Sequence, residues 1–258
     1  APVPGETLKR MLAAIGDDGE IFTPYGATEA LPVAAISASE VLGETQAVTA
    51  TGGGVCVGTR FVEIEWRVIR ITDRPLATIA ETEPLPAGQI GELIVRGPVV
   101  TRAYVTQTEA NAVAKIADGE SMWHRMGDVG YLDDENRFWF CGRKAHRVET
   151  AAGVMFTIPC EAILNEHAAV FRSALVGIGP PGTQRPVLVV EPHEFPGTRT
   201  EQAALADELV ALASAHPLTS QIEQVLLHRS LPVDVRHNSK IARDNLAVLA
   251  TDQVPAEP

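Results

Sequence analysis

The strongest constraint on the fold is a change of pattern around Cys141-Gly142-Arg143-Lys144-Ala145. Up to Cys141 the chain carries β-prone runs broken by glycines and polar turns, most densely from Thr51 to Gly97 and from Val129 to Cys141; after Arg143, helical and strand-like stretches alternate. The two patterns call for different layer architectures. A chain of 258 residues can supply two cores, since domains commonly run about 100 to 200 residues. The expected fold class is α/β plus α+β, with residues 1–143 in a larger domain and 144–258 in a smaller one.

Within the first part, Leu8, Met11, Leu12 and Ile15 share one helical face over Glu6 to Ile15, and Gly16 ends it. Glu20 to Thr23 reads as a short strand that Pro24-Tyr25-Gly26 turns away. Phe61 to Ile71 and Glu92 to Arg96 are strand runs of a small barrel or sheet. Thr108 to Ala117 is alanine-rich and predicts a helix, while Val129–Leu132 and Arg137–Cys141 predict a hairpin turned at Asp133-Asp134-Glu135-Asn136. The second part reads as helix, strand, strand, helix over Pro159–Glu166, Ala174–Ile178, Pro186–Val190 and Glu201–Ser214, with a frayed end from Val254.

Composition removes several classes of function. The formal charge of -12 repels a phosphate backbone and an anionic membrane surface, so no nucleic-acid partner is expected, although a few placed cations and N–H groups can still hold a small nucleotide. Cys56, Cys141 and Cys160 are odd in number and form no C-x-x-C pair, which argues against disulfides and zinc. The seven histidines show no metal-ligand spacing and read as ordinary polar or partly buried groups. No apolar run approaches the roughly 18 residues of a membrane span and no basic-then-apolar leader opens the chain, so a cytoplasmic protein is expected.

Thr23 to Ala30, T-P-Y-G-A-T-E-A, places an aromatic, a glycine, a hydroxyl and a carboxylate at one strand end, where α/β sheets put ligands. Tyr25 can pack a purine face, Gly26 lets a ligand approach the backbone, Thr28 can bond a phosphate, and Glu29 offers hard oxygens to magnesium. The same residues also make an ordinary turn with a capping threonine. By itself, Asp128 in G-D-V-G reads as a turn residue and Lys240 as a solvated lysine near a helix start.

The order Y-G-A-T-E, G-E-L-I-V-R-G-P, R-M-G-D-V-G-Y-L-D, C-G-R-K and N-S-K-I-A-R-D-N-L resembles the adenylate-forming superfamily of acyl-CoA synthetases, adenylation domains and luciferases. The resemblance implies the C-terminal part of a large adenylation domain, with a sheet end and small β-barrel, followed by a mobile α+β lid. It implies Tyr25 against adenine, Gly26 among the nucleotide-binding positions, Thr28 near the α-phosphate, Glu29 on Mg2+, and Asp128 and Arg143 at the ribose hydroxyls of ATP or AMP. Lys240 is then the lid lysine that bridges carboxylate and α-phosphate. F-T-P-Y-G-A-T-E-A-L-P-V and F-C-G-R-K-A-H-R-V-E-T look most like the bacterial olefin-biosynthesis β-lactone synthetases, often named fatty-acid-CoA ligases. That implies a long-chain fatty or β-hydroxy acid as substrate, association with other hydrocarbon-biosynthesis enzymes, and no need for CoA. A thioester-forming relative would instead admit CoA past Gly153, and a non-catalytic nucleotide-binding relative would keep only the adenine and ribose contacts.

Three positions depart from the superfamily pattern. Ala145 stands where an Asp or Lys pivot follows the arginine, Met126 where a threonine precedes G-D, and Ser239 where a glycine precedes the lysine. The Ser/Thr/Gly-rich phosphate loop ending in Pro-Lys is absent, and Gly52 to Gly54 read as a turn between β segments. The chain is therefore expected to begin within a domain of something longer. With no cradle for the departing phosphates, the purified 258-residue chain should show no carboxylate-dependent exchange of pyrophosphate into ATP; exchange above the protein-free blank would contradict this.

Overall fold

The computed structural model describes residues 3–16, 18–234 and 237–254. They fall into two compact units, one of Gly53–Ala145 with the residues before Ala50, the other of His146 onward with Ala50–Gly52.

In the first unit, α1 (Gly5–Ile15) buries Leu8. β1 (Phe22–Ala27) and β2 (Ala30–Ser37) form an antiparallel hairpin whose two-residue turn is Thr28-Glu29. The expectation that Pro24-Tyr25-Gly26 ends the strand is corrected, because β1 runs through all three. β1 lies at the edge of the sheet, where a residue without an N–H need not break a ladder. Gly26 takes up a register irregularity between Tyr25 and Ala27, and a Cβ there would lie 2.4 Å from the Ala30 carbonyl oxygen.

Next come α2 (Ala38–Glu40), a π-helical turn at Val41–Thr45, α3 (Gln46–Ala50), β3 (Val55–Arg60), β4 (Glu65–Ile69) and β5 (Gly91–Arg96). The single helix expected over Thr108 to Ala117 is not formed. A 3-10 turn (Thr108–Ala110) leads into α4 (Asn111–Ala114), and then β6 (Lys115–Asp118) pairs with β7 (Ser121–Leu132). Burial of Lys115 and Ile116 against that ladder overrides the helical preference of the alanines. β8 (Arg137–Arg143) closes the expected hairpin with β7.

The strands run β1-β2-β3-β8-β7-β5-β4 with β6 beside β7, all antiparallel. The expected barrel is not closed among the described residues: β1 and β4 are the two ends of the sheet. Closure needs a continuous ladder between end strands, and β1 carries Pro24 and the irregularity at Gly26 there. The centre of β5 is apolar on both faces. Leu93 and Val95 pack with Trp66, Met126 and Phe138, while Ile94 packs with Ile69, Ile116 and Trp123 on the other side.

A 3-10 turn (Lys144–His146) runs across the border, and the second unit continues into a small hairpin, β9 (Val148–Thr150) with β10 (Gly153–Met155). α5 (Thr157–Asn165), β11 (Val170–Ile178), β12 (Arg185–Pro192) and α6 (Arg199–Ser214) follow in the expected order. β13 (Gln224–Leu227) lies parallel to β12, and β14 (Val233–Asp234) pairs with β15 (His237–Ile241) before α7 (Arg243–Gln253). Period-two alternation sends Leu175, Leu188 and Val190 into a core with α5 and α6, and Ala174, Val176, Val187 and Val189 into a core with α7. Val254, expected to fray, is 6% exposed in that second core; residues 255–258 lie outside the described set.

One buried ion pair joins these layers. Glu161 of α5 accepts from the Leu175 N–H at 2.7 Å and from Arg243 at 2.5 and 2.8 Å, so the first residue of α7 is fastened to both α5 and β11. Arg243→Met would leave the Glu161 charge buried without its cation and should cost roughly 3 to 5 kcal/mol, with Glu161→Gln in the same chain recovering part of the loss. Urea denaturation followed by helical circular dichroism measures both.

Candidate functional site

Three residues from three strands meet at the Asp128 carboxylate. The Tyr25 hydroxyl donates to Oδ2 at 2.6 Å, and Arg143 Nη1 donates to Oδ1 at 2.9 Å and to the Met126 carbonyl at 2.9 Å. Asp128 is buried at 5% exposure, whereas the Arg143 side chain is half exposed. Local structure explains the meeting. β7 and β8 pair Gly130 with Phe140 but Val129 with Gly142, so Cys141 is an extra residue, and Asp128 comes to face Arg143 where an unbroken ladder would have set Gly142. Gly130 permits the kink, since a Cβ would meet the Trp139 carbonyl oxygen at 2.0 Å; Gly127, at φ 65°, takes the left-handed backbone that turns the chain into Asp128.

Burial pushes the Asp128 carboxyl above its ordinary value, against the pull of Arg143 and of the Tyr25 hydroxyl. Burial, then the Asp128 charge, pushes the Tyr25 phenol far up, so it stays a donor. The Tyr25 ring packs 5.9 Å from that of Phe138. An acceptor carboxylate beside a half-exposed guanidinium, with an aromatic ring alongside, suits a ligand that offers hydroxyls and a flat apolar face.

Four residues along the hairpin from Tyr25 stands Glu29, in its turn with the exposed Thr28. Glu29 Oε1 accepts from the Tyr104 hydroxyl at 2.7 Å, which holds its carboxyl below the ordinary value, and its backbone carbonyl accepts from Thr101 N at 2.8 Å. The Asn111 amide clamps both the N–H and the carbonyl of Tyr104 at 2.7 and 3.1 Å. Buried Lys115 bonds the Thr101 carbonyl and hydroxyl, and burial lowers its pKa. His124, 3% exposed, is held by the Ala114 carbonyl at 3.1 Å, and burial, then Lys115, depress it to about 4. Sequence reasoning missed this support: Tyr104 lies 75 residues from Glu29, and only the fold connects them.

Among the described residues no three His, Cys, Asp or Glu side chains cluster to hold a metal. Lys240 is exposed on β15 in the second unit, three residues before the fastened Arg243. It sits in a strand, near the helix start as expected, since β15 pairs with β14 immediately before α7 begins. Gly26 carries the irregularity in β1, and Cys160 is buried with its thiol on the Leu218 carbonyl.

No protein-family model matches the chain. The olefin β-lactone synthetase of Xanthomonas campestris pv. campestris is 46% identical over 259 residues, covering 98% of this chain and 46% of that protein. The chain thus spans about half the length of that curated relative. The amide bond synthetase McbA from Marinactinospora thermotolerans superposes with a TM-score of 0.73 at 22% identity, over 95% of this chain and 44% of that one. The o-succinylbenzoate coenzyme A synthetase of Bacillus subtilis, solved with ATP and a magnesium ion, gives a TM-score of 0.66 at 19% identity over 95% and 44%. No helix of the described residues is long and apolar enough to cross a membrane.

His124 makes stability pH-dependent in a definite direction. Its ordinary pKa of 6.5 falls to about 4 in the fold, so the unfolded chain binds the proton more tightly. The neutral ring's contribution is complete above about pH 6.5 and disappears as pH falls toward about 4, a change of roughly 3 kcal/mol at most. In urea titrations across that window, His124→Gln should flatten the decline by a comparable amount; an identical decline would remove His124 as its source.

Proposed function

We propose, for a chain that belongs to the adenylate-forming superfamily, that it serves in ATP-dependent activation of a fatty or β-hydroxy fatty acid as its acyl-adenylate. The observation that carries this reading is the convergence of Tyr25 and Arg143 on buried Asp128, beside the hairpin turn that presents Thr28 and Glu29. In this reading the ribose hydroxyls of ATP or AMP donate to Asp128 and accept from Arg143, while adenine lies along Tyr25 and approaches the backbone at Gly26. Thr28 bonds the α-phosphate. Glu29, kept charged by Tyr104, holds Mg2+, which when bound offsets phosphate charge.

The substrate carboxylate attacks the α-phosphorus and pyrophosphate leaves. Lys240 neutralises charge that builds on the transferring group, and its exposure on β15 leaves the ammonium able to enter from a second domain, residues 144–258, acting as a lid over the first, 1–143. The β-hydroxyl then attacks the acyl carbon, loses its proton to solvent and expels AMP, closing a β-lactone. Identity of 46% along nearly the whole chain to an olefin β-lactone synthetase supports lactone over thioester. A cytoplasmic setting beside other hydrocarbon-biosynthesis enzymes belongs to the same reading.

The test is Lys240→Ala in the protein of the relatives' full length, with saturating ATP and a β-hydroxy fatty acid in single turnover. Acyl-adenylate formation should fall about 100- to 1000-fold while ATP binding changes little, because a charge delivered only on closure stabilises the transition state. A change under about threefold, the scale of a solvated surface lysine, would sink the assignment. Product analysis separates the alternatives: a CoA-dependent thioester would replace the lactone, and ATP binding without turnover would mark a nucleotide-binding relative.

A further inference from the structure

The first unit contains a second buried charged cluster, made of residues that the proposed chemistry does not use. Glu92 of β5 and Arg125 of β7 are 1% and 2% exposed and bonded through both carboxylate oxygens, with Nη2 to Oε2 at 2.5 Å and Nε to Oε1 at 3.1 Å. The same guanidinium binds the Thr72 and Arg74 carbonyls. Arg125 thus neutralises Glu92 by itself, yet a second cation reaches the same place. Lys144 Nζ lies 3.2 Å from Glu92 Oε2 and 3.0 Å from the Thr72 carbonyl, with Asp73 at 4.0 Å. Lys144 is the last residue but one before the chain passes from the first unit to the second, between Ala145 and His146.

We propose that Lys144 is a positioning residue that bolts the chain's exit to the first unit, so that freedom of the connecting segment begins only at Ala145. The arrangement accounts for a peculiarity of the sequence. Ala145, at the pivot position of the superfamily pattern, has no side chain with which to hold the backbone, and the anchor stands one residue earlier. An ammonium bonded to a buried carboxylate and a carbonyl holds the backbone of residue 144, and through it that of neighbouring Arg143, more firmly than an alanine can. This holds whatever chemistry the chain performs.

Removing Lys144 leaves Glu92 paired with Arg125, so the consequence is local; removing Arg125 strands the carboxylate and loosens the whole sheet. Amide hydrogen exchange on the 258-residue chain distinguishes the two. In Lys144→Met, exchange at residues 143–147 should quicken about tenfold or more, with amides of β5 and β7 unchanged, and Lys144→Arg should restore most of the protection. Arg125→Met should quicken exchange throughout the first unit. Three results overturn the proposal: unchanged exchange at 143–147 in Lys144→Met, equal quickening in β5 and β7, or failure of Lys144→Met to fold while Glu92 keeps its arginine.

Discussion

The candidate site depends on one extra residue in a ladder. An unbroken β7–β8 pairing would set Asp128 against Gly142, leaving a carboxylate in an apolar sheet with only the Tyr25 hydroxyl to answer it. The additional residue at Cys141 carries the register on by one and brings Arg143 across from Asp128. Because side chains in a strand alternate between faces, a slip of one residue decides whether a cation meets the charge or points away. Gly130 is what allows the slip, since its missing Cβ is where the Trp139 carbonyl lies.

The same logic runs through the rest of the chain. Several buried charges are answered by residues distant in sequence, and such pairings join separate elements. Glu161 and Arg243 tie α7 to α5 and β11, and Glu191 binds both Arg172 and the Leu231 N–H. Hydrophobic alternation sets which faces meet, and the charged pairs set how they are aligned. Lys240 gains from this indirectly, because the residue three positions after it is fixed while its own side chain stays in solvent.

Much of the element order was legible in the sequence because periodicity reports burial, and in the second unit α5, β11, β12 and α6 follow in the expected order, with bounds that differ by up to four residues. Short motifs also singled out Tyr25, Asp128 and Arg143, which the fold brings together. Pairings across long separations were not legible. Nothing near Tyr104 indicates that its hydroxyl serves Glu29, and nothing near Glu92 indicates two cations. Local propensity misled where tertiary pairing was stronger: alanines at 112 and 114 promised a longer helix than β6 allows, and Pro24 promised a turn that an edge strand does not require. Gly130 lies inside the strand expected over Val129–Leu132, and its purpose emerges only from the neighbouring carbonyl.

The placement of the charged groups also decides how the chain responds to ionic strength. Arg70–Glu83 and Lys9–Glu6 are exposed on both partners, and the surplus of acidic side chains gives the chain a charge of -12. Added salt screens the attraction in those pairs and the repulsion within that surplus alike, and the two effects oppose each other. Glu92 and Arg125 lie out of reach of the ionic atmosphere at 1% and 2% exposure, and Lys144 is sheltered at 17%. Salt therefore acts chiefly on the outer surface of the first unit and least on the buried pair of Glu92 and Arg125.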